Sequence, residues 1–77
     1  MIRNVDGAEW EAKSLTEWKL VGWELWVGWR YGSWAYWLDQ TTRFGKAGYR
    51  SREEAMRWGI IRLNDLVTEH ERLNGWR

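Results

Sequence analysis

The chain has 77 residues, a formal net charge of +1, nine Trp and no Cys, which limits it to one small domain and excludes both a disulfide framework and a cysteine zinc cluster. The small net charge does not by itself indicate a nucleic-acid partner. Since the sequence shows neither a signal-peptide pattern nor an apolar run of membrane-spanning length, we expect a cytoplasmic protein that does not contact a membrane.

The first 22 residues predict an N-terminal hairpin and turn segment. Asp6-Gly7 is a strong two-residue turn signal, and the residues around it predict two short paired strands over 2–12. The residues expected to face inward are Val5, Ala8, Trp10 and Ala12.

The segment 14–22 has two possible structures. Ser14 followed three residues later by Glu17 fits a capping box and would begin a single helical turn. The same residues could equally begin a longer strand that runs into Trp23, and the sequence leaves both structures open.

Residues 23–50 predict the central sheet. Apolar side chains occupy every second position over 23–31, and the run over 34–42 alternates again, as expected for strands with one buried face. Gly32-Ser33, between the two runs, predicts a two-residue hairpin turn because Gly accepts a positive φ.

That turn fixes which residues of the two strands face each other. The predicted core face pairs Tyr31 with Trp34, Trp29 with Tyr36, and Val27 with Leu38. The predicted opposite face pairs Arg30 with Ala35, Gly28 with Trp37, and Trp26 with Asp39, so that Trp26 and Trp37 are diagonal neighbours. The division into two faces depends on the turn, because side chains alternate along a strand.

Two further elements follow a polar connection over 41–45. A third short strand is predicted over 46–50, with Ala47 and Tyr49 on one face. Ser51 with Glu54 forms a second capping box and predicts a helix over 51–75. Its apolar stripe consists of Met56, Gly59, Ile60, Leu63, Leu66, Val67, His70 and Leu73, with Trp58 and Ile61 at the margin.

The elements together predict a single α+β domain over 1–77, in which an antiparallel sheet of three or more strands packs against one C-terminal α-helix. Catalytic patterns are poorly represented: His70 is the single His, and no metal-binding or nucleotide-binding motif occurs. We therefore expect no enzymatic activity, cofactor, metal site or small-molecule substrate.

The remaining candidate for function is a basic and aromatic sheet face. Residues 28–52 carry five basic and one acidic side chain (+4), whereas 1–27 carry −2 and 53–77 carry −1. Basic groups neutralise phosphates and indoles stack on bases, but Trp and Arg also anchor protein interfaces. The candidate binding residues are Trp26, Arg30, Trp37, Arg43, Lys46, Arg50 and Arg52.

A structural explanation of the two indoles competes with these functional ones. Trp26 and Trp37 could be buried beneath the N-terminal hairpin by Trp10 and Trp18, which would leave only charged side chains of this face in water. Aromatic stripes belong to a core more often than to a binding site.

Part of the chain resembles a known DNA-binding module. The matching residues are Gly32-Ser33-Trp34, Asp39, Gly45-Lys46, Tyr49, Ser51, Glu53-Glu54-Ala55 and Trp58. They resemble the three-stranded-sheet-plus-helix module of phage and transposon integrases, which is related to the plant AP2-type DNA-binding domains. Because the sheet of that family lies in the major groove, the resemblance implies DNA contact by Arg30, Trp37, Arg43, Lys46 and Arg50.

In size, composition and sheet-plus-helix build, the chain is also similar to phage-encoded inhibitors of host defence, including anti-CRISPR proteins. Two partner classes are therefore expected. The first hypothesis is a small mobile-element protein that contacts DNA through the basic aromatic face. The second is an inhibitor that binds a nucleic-acid-processing protein complex through the same face or through the acidic helix.

Overall fold

The computed structural model describes residues 1–38 and 45–74, with side chains as far as Glu69, and contains a six-stranded antiparallel sheet covered by one helix. The strands are β1 (Ile2–Val5), β2 (Ala8–Ala12), β3 (Glu17–Leu20), β4 (Leu25–Arg30), β5 (Ser33–Leu38) and β6 (Lys46–Tyr49). Their order in the sheet follows their order in the chain. The helix α1 (Arg52–Asn74) packs mainly on β4 and β5, which confirms the predicted α+β fold.

The N-terminal hairpin forms around the predicted turn. Asp6 and Gly7 both have positive φ, 53° and 86°, as a type I′ turn requires. Of the residues expected to face inward, Trp10 is fully buried, and the other three pack partly buried against the core. These expectations are confirmed.

Of the two structures left open for residues 14–22, the helical turn is wrong, and the strand is present over Glu17–Leu20 but ends before Trp23. The hydroxyl of Ser14 accepts a hydrogen bond from the Thr16 N–H at 3.3 Å, in a turn between β2 and β3, and so does not cap a helix. β3 pairs with a strand on each side, and both Trp18 and Leu20 are buried on one face. Tertiary pairing therefore overrides the local capping signal. The segment 1–22 contributes three strands to the same sheet as the central hairpin.

The central hairpin turns at Tyr31-Gly32, one residue before the predicted Gly32-Ser33. Tyr31 and Gly32 have φ of 54° and 82°, again a type I′ turn. The pairs on the helix-facing side are Leu25 with Leu38, Val27 with Tyr36, and Trp29 with Trp34. The predicted pairs are thus wrong, but both turns have two loop residues, so each strand keeps the inward-facing set that was predicted.

The one-residue shift changes the outer end of the predicted core. Tyr31 was expected inside, but it belongs to the turn and is 95% exposed. Trp29 and Trp23 are about half exposed, and β4 begins at Leu25, after Trp23.

β6 contains a bulge that separates two residues expected on one face. Ala47 pairs with Ala35, whereas Tyr49 pairs with Trp34. Gly48 between them has a φ of 100° and donates its N–H to the Ser33 hydroxyl at 2.9 Å. The extra residue turns Ala47 and Tyr49 to opposite faces, so the predicted shared face is wrong.

The helix begins as predicted. The Ser51 hydroxyl accepts the Glu54 N–H at 3.1 Å, which is the N-terminal cap expected from the sequence. Trp58 and Ile61 are partly exposed at the margin of the stripe. Of the predicted stripe and helix end, the side chains of His70 and Leu73 and the stop at Gly75 lie outside the described residues.

The core lies between the helix and the sheet. Its buried members are Trp10, Trp18, Leu20, Leu25, Val27, Tyr36, Leu38, Ala55 and Met56. Gly59 lets the helix approach closely, since a Cβ there would lie 3.1 Å from Leu25 Cδ1 and 3.2 Å from Tyr36 Cβ. The helix covers one sheet face, so any binding function of the sheet belongs to the other.

Candidate nucleic-acid interface

The sheet face opposite the helix, called the open face below, is centred on β4 and β5. Its members are Trp26 opposite Trp37, Gly28 opposite Ala35, and Arg30 opposite Ser33. The two indoles are direct cross-strand neighbours and not diagonal ones as predicted. Asp39, the predicted partner of Trp26, lies outside the described residues. Trp10 and Trp18 lie in the core on the helix side, so they do not cover the open face.

Trp37 is nevertheless almost fully buried, with 5% of its surface exposed. The guanidinium carbon of Arg30 lies 4.6 Å from the centre of its ring, a cation–π distance. A Cβ on Gly28 would lie only 2.9 Å from Trp37 Cη2, so the ring covers the bare backbone of that glycine, although Gly28 pairs with Ala35 and not, as predicted, with Trp37. Little of the Trp37 ring is therefore accessible to a ligand.

Trp26 is half buried, and its indole N–H donates to the Glu24 carboxylate at 3.4 Å. Together with Glu17 and Arg30, the two indoles line a surface depression of about 330 Å³. Part of the Trp26 surface remains in contact with solvent, so it is the more accessible of the two.

Arg30 has a carboxylate partner that the sequence did not identify. Its guanidinium donates to Glu17 of the neighbouring strand and to the Trp29 carbonyl at 3.1 Å. Glu17 faces Gly28 across the β3–β4 pair, which places it on the open face. Once residues 17–20 are assigned to a strand with Trp18 inward, alternation is the sequence signal that puts Glu17 outward. This ion pair offsets part of the positive charge expected on the face.

A second cavity opens where β5 meets β6, and it is called the β5–β6 cleft below. It has a volume of about 200 Å³, and its lining includes Arg30, Tyr31, Trp37 and Lys46. Tyr31 and Lys46 are exposed. Among the described residues that line it, none is acidic. The cleft therefore combines two cations with aromatic surface.

The charge of the described chain is unevenly distributed. Residues 28–38 and 45–52 carry four basic side chains and no acidic one, whereas residues 1–27 carry three basic and five acidic ones. Residues 53–69 of the helix carry two basic and four acidic ones. Two of these four basic residues, Arg30 and Lys46, belong to strands that form the cleft, and Arg50 and Arg52 follow β6.

The remaining predicted basic residues are placed differently. Arg50 is exposed just after β6. Arg52 lies on the helix side, with its guanidinium carbon 4.8 Å from the centre of the Trp18 ring and a hydrogen bond of 2.9 Å to Glu53. Arg43 lies outside the described residues. The structure therefore brings Trp26, Arg30 and Trp37 together on the open face. Lys46 pairs with the core-facing Tyr36 and lines the cleft from β6, and Arg52 is separate from all of them.

Two groups near β6 and the start of the helix have shifted pKa values. The hydrogen bond from Arg52, followed by that from its own backbone N–H, holds the pKa of Glu53 below its usual range. Burial, followed by the neighbouring Tyr36, raises the pKa of Tyr49, whose ring stacks on Tyr36 at 5.9 Å. Neither Glu53 nor Tyr49 is among the described residues that line the cleft.

Within 1–38 and 45–69, no three acidic or His side chains are arranged to hold a metal ion. The described part of α1 is not apolar enough to cross a bilayer. No family model matches the sequence, and no similar protein was found among curated proteins or solved structures. The evidence for function is therefore the chemistry of the open face and the β5–β6 cleft.

Proposed function

We propose that this protein is a small non-catalytic module that binds DNA through the β5–β6 cleft. The observation that supports the proposal is the lining of the cleft, which includes Arg30, Lys46 and aromatic residues and no described acidic residue, although Arg30 is itself paired with Glu17 on the open face. Cations of this kind neutralise phosphates and release counterions, and aromatic rings add stacking on bases.

The binding region that we propose is smaller than the one predicted from the sequence. Trp37 is buried and shapes the floor on which Arg30 rests. Lys46, which lines the cleft, is an exposed cation, and Arg50, just after β6, is another. With only two or three phosphate contacts, we expect binding that does not depend on base sequence, with a Kd of roughly 10⁻⁴ to 10⁻⁶ M.

A titration of fluorescent DNA followed by anisotropy at several salt concentrations tests the proposal. We expect Lys46→Gln to weaken binding and to reduce the slope of log K against log salt by about 0.9 for duplex DNA, because one phosphate contact is lost. Arg57→Gln is the matched control, because Arg57 is exposed on the helix and pairs with Asp6 at 3.4 Å.

Two results would refute the proposal. The first is the absence of any change in anisotropy at low salt. The second is an equal loss of affinity in the Lys46 and Arg57 variants. That result would show that DNA affinity depends on the net charge of the protein and not on a binding site at the cleft.

A second candidate function, binding of a protein partner, is favoured by a different surface. A groove of about 340 Å³ between the β3–β4 turn and α1 is lined by Val21, Trp23, Leu63 and Val67. Val21 and Trp23 are 44% and 49% exposed, and exposed apolar groups of this kind are typical of protein interfaces.

The two functions can be separated with a single variant. If the groove is the functional surface, Trp23→Ser abolishes recovery of a stoichiometric protein from a nuclease-treated bacterial lysate and leaves DNA binding unchanged. Recovery of the same protein by the Trp23 variant would exclude the groove.

A further inference from the structure

Tyr31, at the tip of the central hairpin, has a backbone conformation that Tyr rarely adopts. Tyr31 has a φ of 54°, and this left-handed region is normally occupied by Gly, Asn or Asp. The chain contains its own comparison, since Asp6 holds the equivalent position of the β1–β2 turn at a φ of 53°. Each turn continues with a glycine, Gly7 or Gly32. The folding of the turn therefore does not account for a Tyr at this position.

The packing of the protein does not account for Tyr31 either. Its side chain is 95% exposed, so the ring contributes almost nothing to the core. It borders the β5–β6 cleft together with Arg30 and Lys46. A large aromatic ring is thus held in water, in a strained backbone position, next to Arg30 and at the border of a cleft that Lys46 also lines.

The other aromatic rings of the cleft are buried and already stack on side chains of the protein. Trp37 is 5% exposed and lies under Arg30. Tyr36 is 7% exposed and stacks on Tyr49. Of the aromatic side chains described in the cleft lining, Tyr31 is the one with open ring faces.

We infer that the β5–β6 cleft takes single-stranded nucleic acid, with the Tyr31 ring stacked on an unpaired base and Lys46 contacting an adjacent phosphate. The inference depends on the proposed nucleic-acid function and specifies its substrate. In a duplex each base is covered above and below by its neighbours, so its face is closed to Tyr31. In a single strand the base can rotate out and stack, whatever its identity.

Four labelled probes of equal length test the inference: an oligothymidylate, an oligouridylate, an abasic DNA strand and a DNA duplex. At low salt we expect at least one pyrimidine strand to bind more tightly than both the abasic strand and the duplex. Tyr31→Asn is expected to weaken binding of that strand about 5- to 150-fold, the range for losing one stacked base. Binding of the abasic strand, which has only phosphates to offer, stays unchanged.

Two variants control for folding and for position. Tyr31→Phe keeps the ring and is expected to bind like the wild type. Asp6→Tyr places a second Tyr in the equivalent turn and is expected to leave binding unchanged. Because Asn suits the left-handed conformation, Tyr31→Asn is expected to melt at the same or a higher temperature than the wild type, so lost binding cannot be assigned to unfolding.

The outcomes separate this inference from the proposed function. If no probe binds, the proposed function and the inference both fail. If the duplex binds as tightly as the single strands, or if Tyr31→Asn binds them like the wild type, the inference is wrong and the proposed function stands. The inference is supported if Tyr31→Asn loses pyrimidine-strand affinity selectively.

Discussion

Replacing Gly28 with Ala tests how closely the open face is packed. A Cβ at this position would lie 2.9 Å from the Thr16 carbonyl oxygen, 2.9 Å from Trp37 Cη2 and 3.2 Å from Glu17 Cγ. Real Cβ atoms essentially never approach other atoms this closely, so at least one neighbour must move. Gly28 is not among the glycines with positive φ, and the cost of the substitution therefore comes from packing.

Neither of the two closest neighbours can move easily. The Thr16 carbonyl, immediately before β3, accepts the N–H of Trp29 in β4 at 3.2 Å, and Trp37 is a buried ring beneath Arg30. Overpacking of this kind costs about 1–3 kcal/mol. The Ala variant recovers about 0.4–1 kcal/mol, because its unfolded chain has less conformational freedom.

The two terms together leave a loss of about 0–2.6 kcal/mol, and because two rigid neighbours are in contact we expect Gly28→Ala to lower the free energy of unfolding by about 1–2 kcal/mol. For a domain of this size the melting temperature falls by roughly 4–16 °C. Urea unfolding followed by Trp fluorescence, together with thermal unfolding followed by circular dichroism, measures both quantities.

Trp37→Leu provides the matched background for this measurement. In that background the contact with the ring is gone and only the Thr16 and Glu17 contacts remain, so Gly28→Ala is expected to cost less. A Gly28→Ala variant as stable as the wild type, or an equal cost in both backgrounds, would contradict the position of the Trp37 ring over Gly28.

Three other substitutions have defined outcomes. Met56→Ala removes a side chain that is 1% exposed and is expected to lower the free energy of unfolding in urea by about 2–5 kcal/mol. Glu53→Gln tests the carboxylate whose pKa is lowered by the hydrogen bond from Arg52. Because the folded pKa is lowered, the stabilisation is complete above pH 4.5, the ordinary value, and is lost as the pH falls through the folded pKa. We expect the variant to be less stable by about 0.5 kcal/mol at neutral pH, since the pair is partly exposed, and equally stable in strong acid. Glu17→Gln removes the carboxylate partner of Arg30, so binding of an oligothymidylate should tighten and its salt slope should steepen by about 0.7.

Each of these three expectations has a control or a contradicting result. Ile61→Ala, at a position that is 42% exposed, is expected to change stability by less than about 0.5 kcal/mol, and an equal loss in the Met56 and Ile61 variants would contradict the described core. A Glu53 variant whose stability difference persists in strong acid would show that the effect does not come from the carboxylate charge. Unchanged affinity in Glu17→Gln would show that Arg30 does not contact phosphate.

Much of the fold could be predicted because local signals agreed with tertiary pairing. Asp6-Gly7 is a turn in the sequence and in the structure, and Ser51 caps the helix as its spacing from Glu54 predicts. The central turn was misplaced because Tyr-Gly and Gly-Ser both close a two-residue loop around Gly32. Cross-strand pairing over the full hairpin decides between them, and no local pattern contains that information.

Part of the open face could be predicted because strand alternation does not depend on the exact position of the turn. Arg30 and Trp37 share a face in either register, because moving a two-residue turn by one position leaves the alternation of each strand intact. Tyr31 was assigned to the core because the alternation was extended through the turn. Glu17 was missed because its segment could be helix or strand, and Arg52 was grouped with the cleft from its position in the chain alone.

The order of the strands, which follows the chain from β1 to β6, has a consequence for how the protein assembles. Each strand finds its partner in the adjacent segment, so loop closure costs little and the sheet can grow by one hairpin at a time. The helix follows all six strands in the chain, and in a sheet without the docked helix Trp10, Leu25 and Val27 would face water. The rate of that docking sets how long each new molecule exposes a flat apolar surface to other chains, and hence how readily it aggregates during refolding.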